Sequence, residues 1–436
     1  MQPKYFGTDG IRGKGFSELT ANLAFHLGNS LKEAFNNKIV IIGEDTRLSS
    51  PMLAKMVASG ALLSGLDVYY AGVVSTPMIA YYAKLKNATG IMITASHNYY
   101  LDNGIKIFNK GYKSKIEEEL SVEKYIEDKK ISKGEVFGKF NINNDIEDKY
   151  FNLIDQLQLK QSNLKVVYDG ANGANHLIAS KIFSKYYSNS KQINFKPNGK
   201  NINEDCGSTN LEKIIKYLQT NQMELGFAYD GDGDRVIMID KNSKVYDGDL
   251  IILLLAKYLK QNNILKNNGV VITEMTNPGI KKALNENGIN YFVTSVGDKH
   301  VHQEMLKRDL VLGGEASGHI IIKNLLHSGD GLLTSLYILK IINEDKEILK
   351  SLEDVYLYPF KMVNIKNVDK RILNKDIIVK KLAEYKKEFI DTDIFSIRAS
   401  GTEDVIRVTI SCSEEDKLDT YLQKVIKLIS SQGGNI

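Results

Sequence analysis

Three carboxylates stand at alternate positions in Asp230-Gly231-Asp232-Gly233-Asp234, with Arg235 directly after them. Gly231 and Gly233 permit backbone conformations closed to other residues, so the three acids can be turned toward one point. Oxygen ligands are hard, and hard ligands suit magnesium or calcium better than zinc or copper. A calcium EF-hand is excluded, because its sixth loop position requires glycine and here is Arg235, and its twelfth requires glutamate and here is Lys241. A solvated acidic turn would account for a single Asp-Gly pair. It accounts poorly for three aspartates interleaved with two glycines. The flanks, Leu225 to Tyr229 and Val236 to Ile239, read as strands, which puts the acids on a strand-to-strand turn.

Four further loops carry compatible chemistry. Thr94-Ala95-Ser96-His97-Asn98 follows the apolar run Ile91-Met92-Ile93, which lifts Ser96 to the carboxyl end of a sheet, where α/β proteins place ligands. A protease-like pair of Ser96 with His97 as base is disfavoured, since sequence neighbours diverge and the Gly-x-Ser-x-Gly elbow is absent. A phosphoryl group on Ser96 would bring about −1.5 to −2 charge and three acceptor oxygens, a fitting partner for a cation held by three aspartates. The plain alternative is a serine capping a turn. Asp102-Asn103-Gly104 reads as a turn and Ile105-Lys106-Ile107 as a strand that points Lys106 away from the isoleucines. A lysine there is ordinarily a surface group, but a desolvated one near other cations can lose its proton and serve as general base toward a sugar hydroxyl. In Gly7-Thr8-Asp9-Gly10-Ile11-Arg12-Gly13, Arg12 sits on a glycine-bounded loop and suits phosphate clamping.

Gly313-Gly314-Glu315-Ala316-Ser317-Gly318-His319 follows the expected strand Leu310-Val311-Leu312. Glu315 and Ser317, two apart, would share a face and read sugar OH or NH3+ groups, with His319 able to move a proton beside them. Arg398-Ala399-Ser400-Gly401-Thr402-Glu403, with Arg407 on the next strand, combines two arginines, two hydroxyls and a glycine-loosened run of N–H groups. That is a nest for an oxyanion that is not reacting. A polar hairpin turn is the alternative.

Positioning these loops requires sheets. Segments with a three-to-four residue apolar period alternate with short β-branched runs, the pattern of α/β domains. Ser50 is expected to cap a helix from Pro51 to near Gly65, followed by a strand at Leu66 to Tyr70. The charged stretch from Lys113 to Lys149 loses strand character and is expected to cross between domains, and a further crossing near Leu250 to Lys260 is expected to be helical. After Tyr358-Pro359-Phe360 the pattern becomes a smaller α+β unit, with strands near 361–366, 393–398 and 405–410 and a closing helix from Glu414 to Ile429.

The chain has 436 residues, 43% hydrophobic and 25% charged, a soluble globular composition long enough for several domains. A net charge of +4 with lysines scattered among acids argues against a nucleic-acid surface and leaves a small anionic substrate compatible. Cys206 and Cys412 have no metal-ligand spacing, which indicates neither a disulfide framework nor a zinc site. Met1-Gln2-Pro3-Lys4 opens without an apolar stretch and no run approaches membrane-spanning length, so a cytoplasmic protein without a membrane partner is expected.

Taken together, these residues resemble the α-D-phosphohexomutase superfamily, and within it the bacterial phosphoglucosamine mutases. The resemblance runs through Phe6 to Gly13, Thr94 to Asn98, Asn201-Ile202-Asn203 with Cys206-Gly207-Ser208-Thr209, Asp230 to Arg235, Gly314 to His319, and Arg398 to Glu403. It implies four domains around a central cleft, three α/β with mixed sheets and a last α+β one resembling a TATA-binding-protein fold. The expected boundaries are 1–150, 151–250, 251–362 and 363–436. The implied reaction is interconversion of glucosamine 6-phosphate and glucosamine 1-phosphate, supplying UDP-N-acetylglucosamine. The resemblance implies that Ser96 is the phosphoserine, and that Asp230, Asp232 and Asp234 with the phosphoserine oxygen hold one magnesium. Lys106 becomes the general base. Arg12 and Arg235 would stabilise the transferring phosphoryl group, with His97 beside the serine also a catalytic candidate. Glu315, Ser317 and His319 would face the sugar, and Arg398, Ser400, Gly401, Thr402 and Arg407 would hold the distal phosphate. A sugar bisphosphate would prime the enzyme, and the working form would be a monomer or homodimer.

Some positions depart from the family pattern. Tyr99 stands where proline is usual, Ala316 where glutamine or methionine is, and Asp404 where proline is frequent. In Val296-Gly297-Asp298-Lys299-His300, Lys299 replaces an arginine, keeping the charge and losing the fork that would grip phosphate. The competing readings are a phosphomannomutase or phosphoglucomutase, a metal-dependent sugar phosphatase, and a non-catalytic sugar-phosphate sensor. The distal nest argues against hydrolysis, and the intact Ser96, Lys106 and acid triad against sensing.

Overall fold

The computed structural model describes residues 3–7, 9–399 and 405–431. Its strands form four separate sheets, each drawn from one stretch of chain. The first, of eight strands, runs in the order Phe6–Gly7, Gly10–Lys14, Asp102–Asn109, Thr89–Ile93, Ile39–Glu44, Asp67–Val73, Phe140–Ile142, with Tyr112–Lys113 paired onto Asp102–Asn109. The second runs Lys191–Ile193, Val166–Asp169, Leu225–Tyr229, Val236–Asp240, Val245–Tyr246, and the third Asn290–Thr294, Gly269–Thr273, Leu312–Gly314, Ile320–Ile322. The fourth is antiparallel: Phe360–Lys366, Val405–Ser411, Ile394–Ala399.

One plan recurs in the first three sheets. Parallel strands built on buried β-branched residues meet one antiparallel neighbour, and a loop joins that last pair. The pairs are Thr89–Ile93 with Asp102–Asn109, Leu225–Tyr229 with Val236–Asp240, and Leu312–Gly314 with Ile320–Ile322. The serine loop, the aspartate loop and the Glu315 loop therefore occupy equivalent places, at the carboxyl ends of their parallel strands.

Helices cover the faces. Ala21–Phe35 starts where Thr20 Oγ1 accepts from the Leu23 N–H and stops at Asn36, whose backbone is left-handed. Gly248–Gln261 and Gly331–Glu344 begin at the caps Asp247 and Asp330 and are apolar nearly all round, because each is enclosed between layers. These helices join a hydrophobic core that runs without a break from Ile41 and Met92 through Tyr168 and Phe227 to Leu255 and Leu339, so the first three units share one interior. The fourth unit has its own core of Ile365, Val408, Leu418 and Ile426. Among the described residues no helix is long and apolar enough to cross a membrane.

Several expectations need correcting. The helix after Ser49 begins at Ser50 itself, and the following strand is Asp67–Val73. Asp102-Asn103-Gly104 is no turn: these residues open the strand Asp102–Asn109 and pair with Arg12 to Lys14. Backbone pairing overrides their turn propensity. The stretch from Lys113 to Lys149 is not a plain crossing, because it contributes the helix Ile116–Glu127 and the strand Phe140–Ile142 to the first unit. A charged outer helix face and an exposed edge strand conceal those elements from a hydrophobicity reading.

Candidate active site

The serine loop and the aspartate loop meet. Ser96 Oγ donates to Asp230 Oδ2 at 2.7 Å across the boundary between the first and second units. Ser96 has φ of +55°, a conformation uncommon outside glycine and asparagine, and its surroundings hold it there. Its N–H donates to Thr94 Oγ1, and its carbonyl accepts from Arg47 Nη2 and Asn203 Nδ2, both at 2.9 Å. Arg47, fully buried, also donates to the carbonyls of Asn98, Tyr99 and Asp102, with Nε on Asp45 Oδ2 at 2.8 Å. His97 Nδ1 lies 3.2 Å from Ser96 Oγ, so these sequence neighbours do not diverge as expected; the left-handed backbone at Ser96 turns them to the same side. Burial, then Arg235 and Arg12, lowers the His97 pKa to about 3, and among the described residues no group orients its far nitrogen as a triad would require.

Asp230, Asp232 and Asp234 are buried, and one oxygen from each lies within 4.8 Å of the others. Asp230 Oδ1 accepts from the N–H groups of Gly233 and Arg235, both at 3.1 Å, which curls the loop. Thr76 holds Asp232 from the first unit, its hydroxyl on Oδ2 at 2.5 Å and its N–H on the backbone carbonyl at 2.9 Å. Among the described residues, Asp232 Oδ1 and Asp234 Oδ1 are buried without a hydrogen-bond partner. Burial, then the charges of Asp232 and Asp234, pushes the Asp230 carboxyl well above the usual range. Unsatisfied hard oxygens in a cluster of mutually repelling carboxylates are what a divalent cation would complete, so the residues fit magnesium.

Lys106 is 1% exposed, with Nζ 2.7 Å from Asp232, 3.0 Å from Asp234 and 2.9 Å from Asp9. Burial works against its charge, but these three carboxylates outweigh it and raise its pKa well above the ordinary value. The ready proton loss expected of a desolvated lysine is thus opposed here. Asp9 also takes Arg12 Nη2 at 2.8 Å and Lys113, and Lys113 continues to Asp298 at 3.0 Å. Arg235 is paired through a backbone bridge with His319, joining the aspartate loop to the third unit.

His319 Nδ1 is 3.6 Å from Asp234 and Nε2 is 3.6 Å from Asp298. Burial opposes its charge, yet Asp234 and then Asp298 lift its pKa to about 9. Gly329 N–H, 3.1 Å from Nε2, needs a lone pair there and so belongs with the neutral ring. The Gly329 bond therefore opposes the protonation that Asp234 and Asp298 favour. Glu315 and Ser317 do not share a face. They lie on a turn, where alternation fails: Glu315 is buried with Oε1 accepting from Gly297 N–H at 2.8 Å, and Ser317 is exposed. Lys299 faces Glu119 of the first unit at 2.9 Å rather than an open phosphate position. Arg398 and Arg407 stand directly opposite each other on neighbouring strands. Ser400, Gly401 and Thr402 lie outside the described residues.

The site therefore gathers Ser96, His97, Lys106, Arg12, the three aspartates, Arg235 and His319. Asp9, Arg47, Thr76, Lys113 and Asp298 belong to its framework and were given no role by the sequence reading. Arg47 had a signal, since Asp45-Thr46-Arg47 follows an apolar strand as the other loops do. Thr76 and Lys113 had none.

Family models for phosphoglucomutase/phosphomannomutase match the chain in order: α/β/α domain I over residues 3–132, domain II over 148–244, domain III over 247–359 and the C-terminal domain over 339–428. A phosphoglucosamine mutase of Leuconostoc mesenteroides is 36% identical, covering 99% of this chain and 98% of its own. One of Finegoldia magna is 40% identical, covering 98% and 97%. A phosphoglucomutase/phosphomannomutase family protein from Burkholderia thailandensis superposes with a TM-score of 0.81 at 22% identity, over 98% of both chains.

Proposed function

The chain belongs to the phosphoglucomutase/phosphomannomutase family, and from that premise we propose that it interconverts glucosamine 6-phosphate and glucosamine 1-phosphate through a phosphoserine at Ser96 and a glucosamine 1,6-bisphosphate. The observation that carries this reading is the seryl hydroxyl 2.7 Å from Asp230, inside the acid triad. The substrate follows from two relatives at 36% and 40% identity that bear the name phosphoglucosamine mutase.

Phosphoryl transfer breaks the bond between phosphorus and Ser96 Oγ and forms one to a sugar hydroxyl oxygen, whose proton must leave. Magnesium, held by Asp230, Asp232, Asp234 and the seryl phosphate, would supply positive charge to the transferring group and draw aspartate charge away from Lys106. Lys106 takes the hydroxyl proton in its neutral form, having first given its own proton to solvent. Arg12 and Arg235 stabilise the charge spread over the three equatorial oxygens. His97, neutral, keeps its nitrogen on the seryl oxygen. Glu315 fixes the loop through the Gly297 N–H, from which Ser317 and His319 would meet the sugar, and Arg398 and Arg407, with Ser400, Gly401 and Thr402, would hold the far phosphate. The bisphosphate then turns and returns its other phosphoryl group to Ser96. We place the reaction in the cytoplasm, where its product would serve UDP-N-acetylglucosamine synthesis.

Intact-mass measurement tests the covalent step. Purified protein should carry a phosphate-sized increment that Ser96→Ala abolishes together with activity; an active alanine variant sinks the mechanism. Incubation with magnesium and a sugar bisphosphate primer should convert glucosamine phosphate faster than glucose or mannose phosphate. The opposite order would reassign the substrate.

A further inference from the structure

Outside this site, two imidazoles face each other at the contact between the first and third units. His302, on the helix Asp298–Lys307, places Nε2 3.4 Å from Nδ1 of His327, on the loop before the helix Gly331–Glu344. Their ring planes stand 89° apart, and Tyr112 of the first unit packs against both, at centroid distances of 5.6 and 5.0 Å. A separation of 3.4 Å is long for an N–H hydrogen bond, which falls at about 2.7–3.2 Å. It matches the edge of a tetrahedron: two nitrogens each about 2.0–2.1 Å from a zinc ion lie about 3.3–3.4 Å apart.

Protonation agrees with that geometry. Burial first, then Lys84, lowers the His327 pKa to about 4, and burial lowers His302 to about 4, with Lys323 and Lys84 assisting and Asp298 opposing. Neutral rings keep the lone pairs that a metal needs. His327 is half-buried and His302 buried.

We propose that His302 and His327 form a site for a borderline divalent transition metal of the zinc class, its remaining positions filled by water. Imidazole prefers zinc, copper or nickel, and carboxylates prefer magnesium, so this site and the aspartate triad select different ions. Lys84 and Lys323 oppose a bound cation, which makes the site weaker than a closed structural zinc centre. Its reach is not confined to itself. Two residues beyond His327, the Gly329 N–H contacts His319 Nε2 at 3.1 Å. A metal clamping residues 325–329 onto the helix of His302 would act on His319 and slow turnover, and added magnesium would not reverse the effect.

Equilibrium dialysis of tag-free, full-length protein against zinc, under saturating magnesium, tests the site. One zinc per chain is expected, bound equally by wild type and by Asp232→Asn, and at least tenfold more weakly by His302→Gln and by His327→Gln. Copper bound in its place should show two nitrogen couplings by electron paramagnetic resonance, and one in each histidine variant. His327 is half-buried, so its variant tests the site even where His302→Gln disturbs folding. No zinc under these conditions, or zinc retained undiminished by both histidine variants, overturns the proposal.

Discussion

At the scale of single residues, Arg47 governs the serine loop more than the loop's own residues do. One guanidinium, fixed by Asp45, meets the carbonyls of Ser96, Asn98, Tyr99 and Asp102. Lysine cannot reproduce that fork. Arg47→Lys should cost about 2–3 kcal/mol of stability by leaving buried carbonyls unpaired, and should reduce Ser96 phosphorylation, read by denaturant unfolding and intact mass; unchanged values of both would refute the role. Asp232→Asn tests the triad differently. It should lower magnesium-dependent turnover at least 100-fold while moving the melting temperature by only a few degrees, and a variant that still turns over at the wild-type rate contradicts the metal assignment. The residues legible from sequence were those whose type announces chemistry: the aspartates, Ser96 and Arg12. Arg47 and Thr76 act by reaching a distant loop, and no local pattern encodes a contact such as Thr76 with Asp232, which are 156 positions apart.

Among the elements, the three equivalent hairpins explain why the site assembles where it does. The aspartate loop fits only because Gly173 approaches it closely: a Cβ on Gly173 would lie 2.3 Å from the Gly231 carbonyl oxygen. Gly173→Ala should therefore displace the aspartate loop, costing about 1–3 kcal/mol by overpacking and weakening magnesium binding, measured by calorimetric titration. At the end of the strand Ile39–Glu44, burial raises the Glu44 carboxyl to about 7, with Asp45 adding to the shift and Tyr70 opposing it. A carboxyl raised in the folded state gives stability that is full below its unfolded pKa and lost as pH rises through the folded one. Wild type should therefore lose stability relative to Glu44→Gln between about pH 4.5 and 7, and parallel melting curves across that range would rule the shift out. Strands and helices were readable because their apolar periods are strong. The Glu315 and Ser317 pair was misjudged because alternation belongs to strands, and these residues occupy a turn.

For the whole molecule, the fourth unit stands apart. Its core is separate, and among the described residues it is tied to the third unit where Lys281 Nζ donates to the Thr392 carbonyl at 2.9 Å. Beside them lies a cavity of about 870 Å³ lined by Glu274, Tyr291, Phe389 and Ile394. Calorimetry should resolve a separate transition for this unit, and Lys281→Met should lower that transition alone, by about 1–2 kcal/mol. A single transition shifted as one would show that the units melt together. The four-part division was legible through the family resemblance that the motifs carry, but the interior shared by the first three units was not, since apolar periodicity shows that a face is buried without showing which neighbour buries it.

The double grip of Thr76 on Asp232 also bears on how such a chain can be recombined. A hybrid taking its first and second units from different parents must match at Thr76 and Asn203 at once, or Ser96 and the acids lose their alignment. A hybrid joined just ahead of Phe360 has to match, among the described residues, chiefly at Lys281. Gene shuffling thus finds an open seam between the third sheet and the fourth, and there a lineage can exchange its last unit while inheriting the serine and aspartate loops intact.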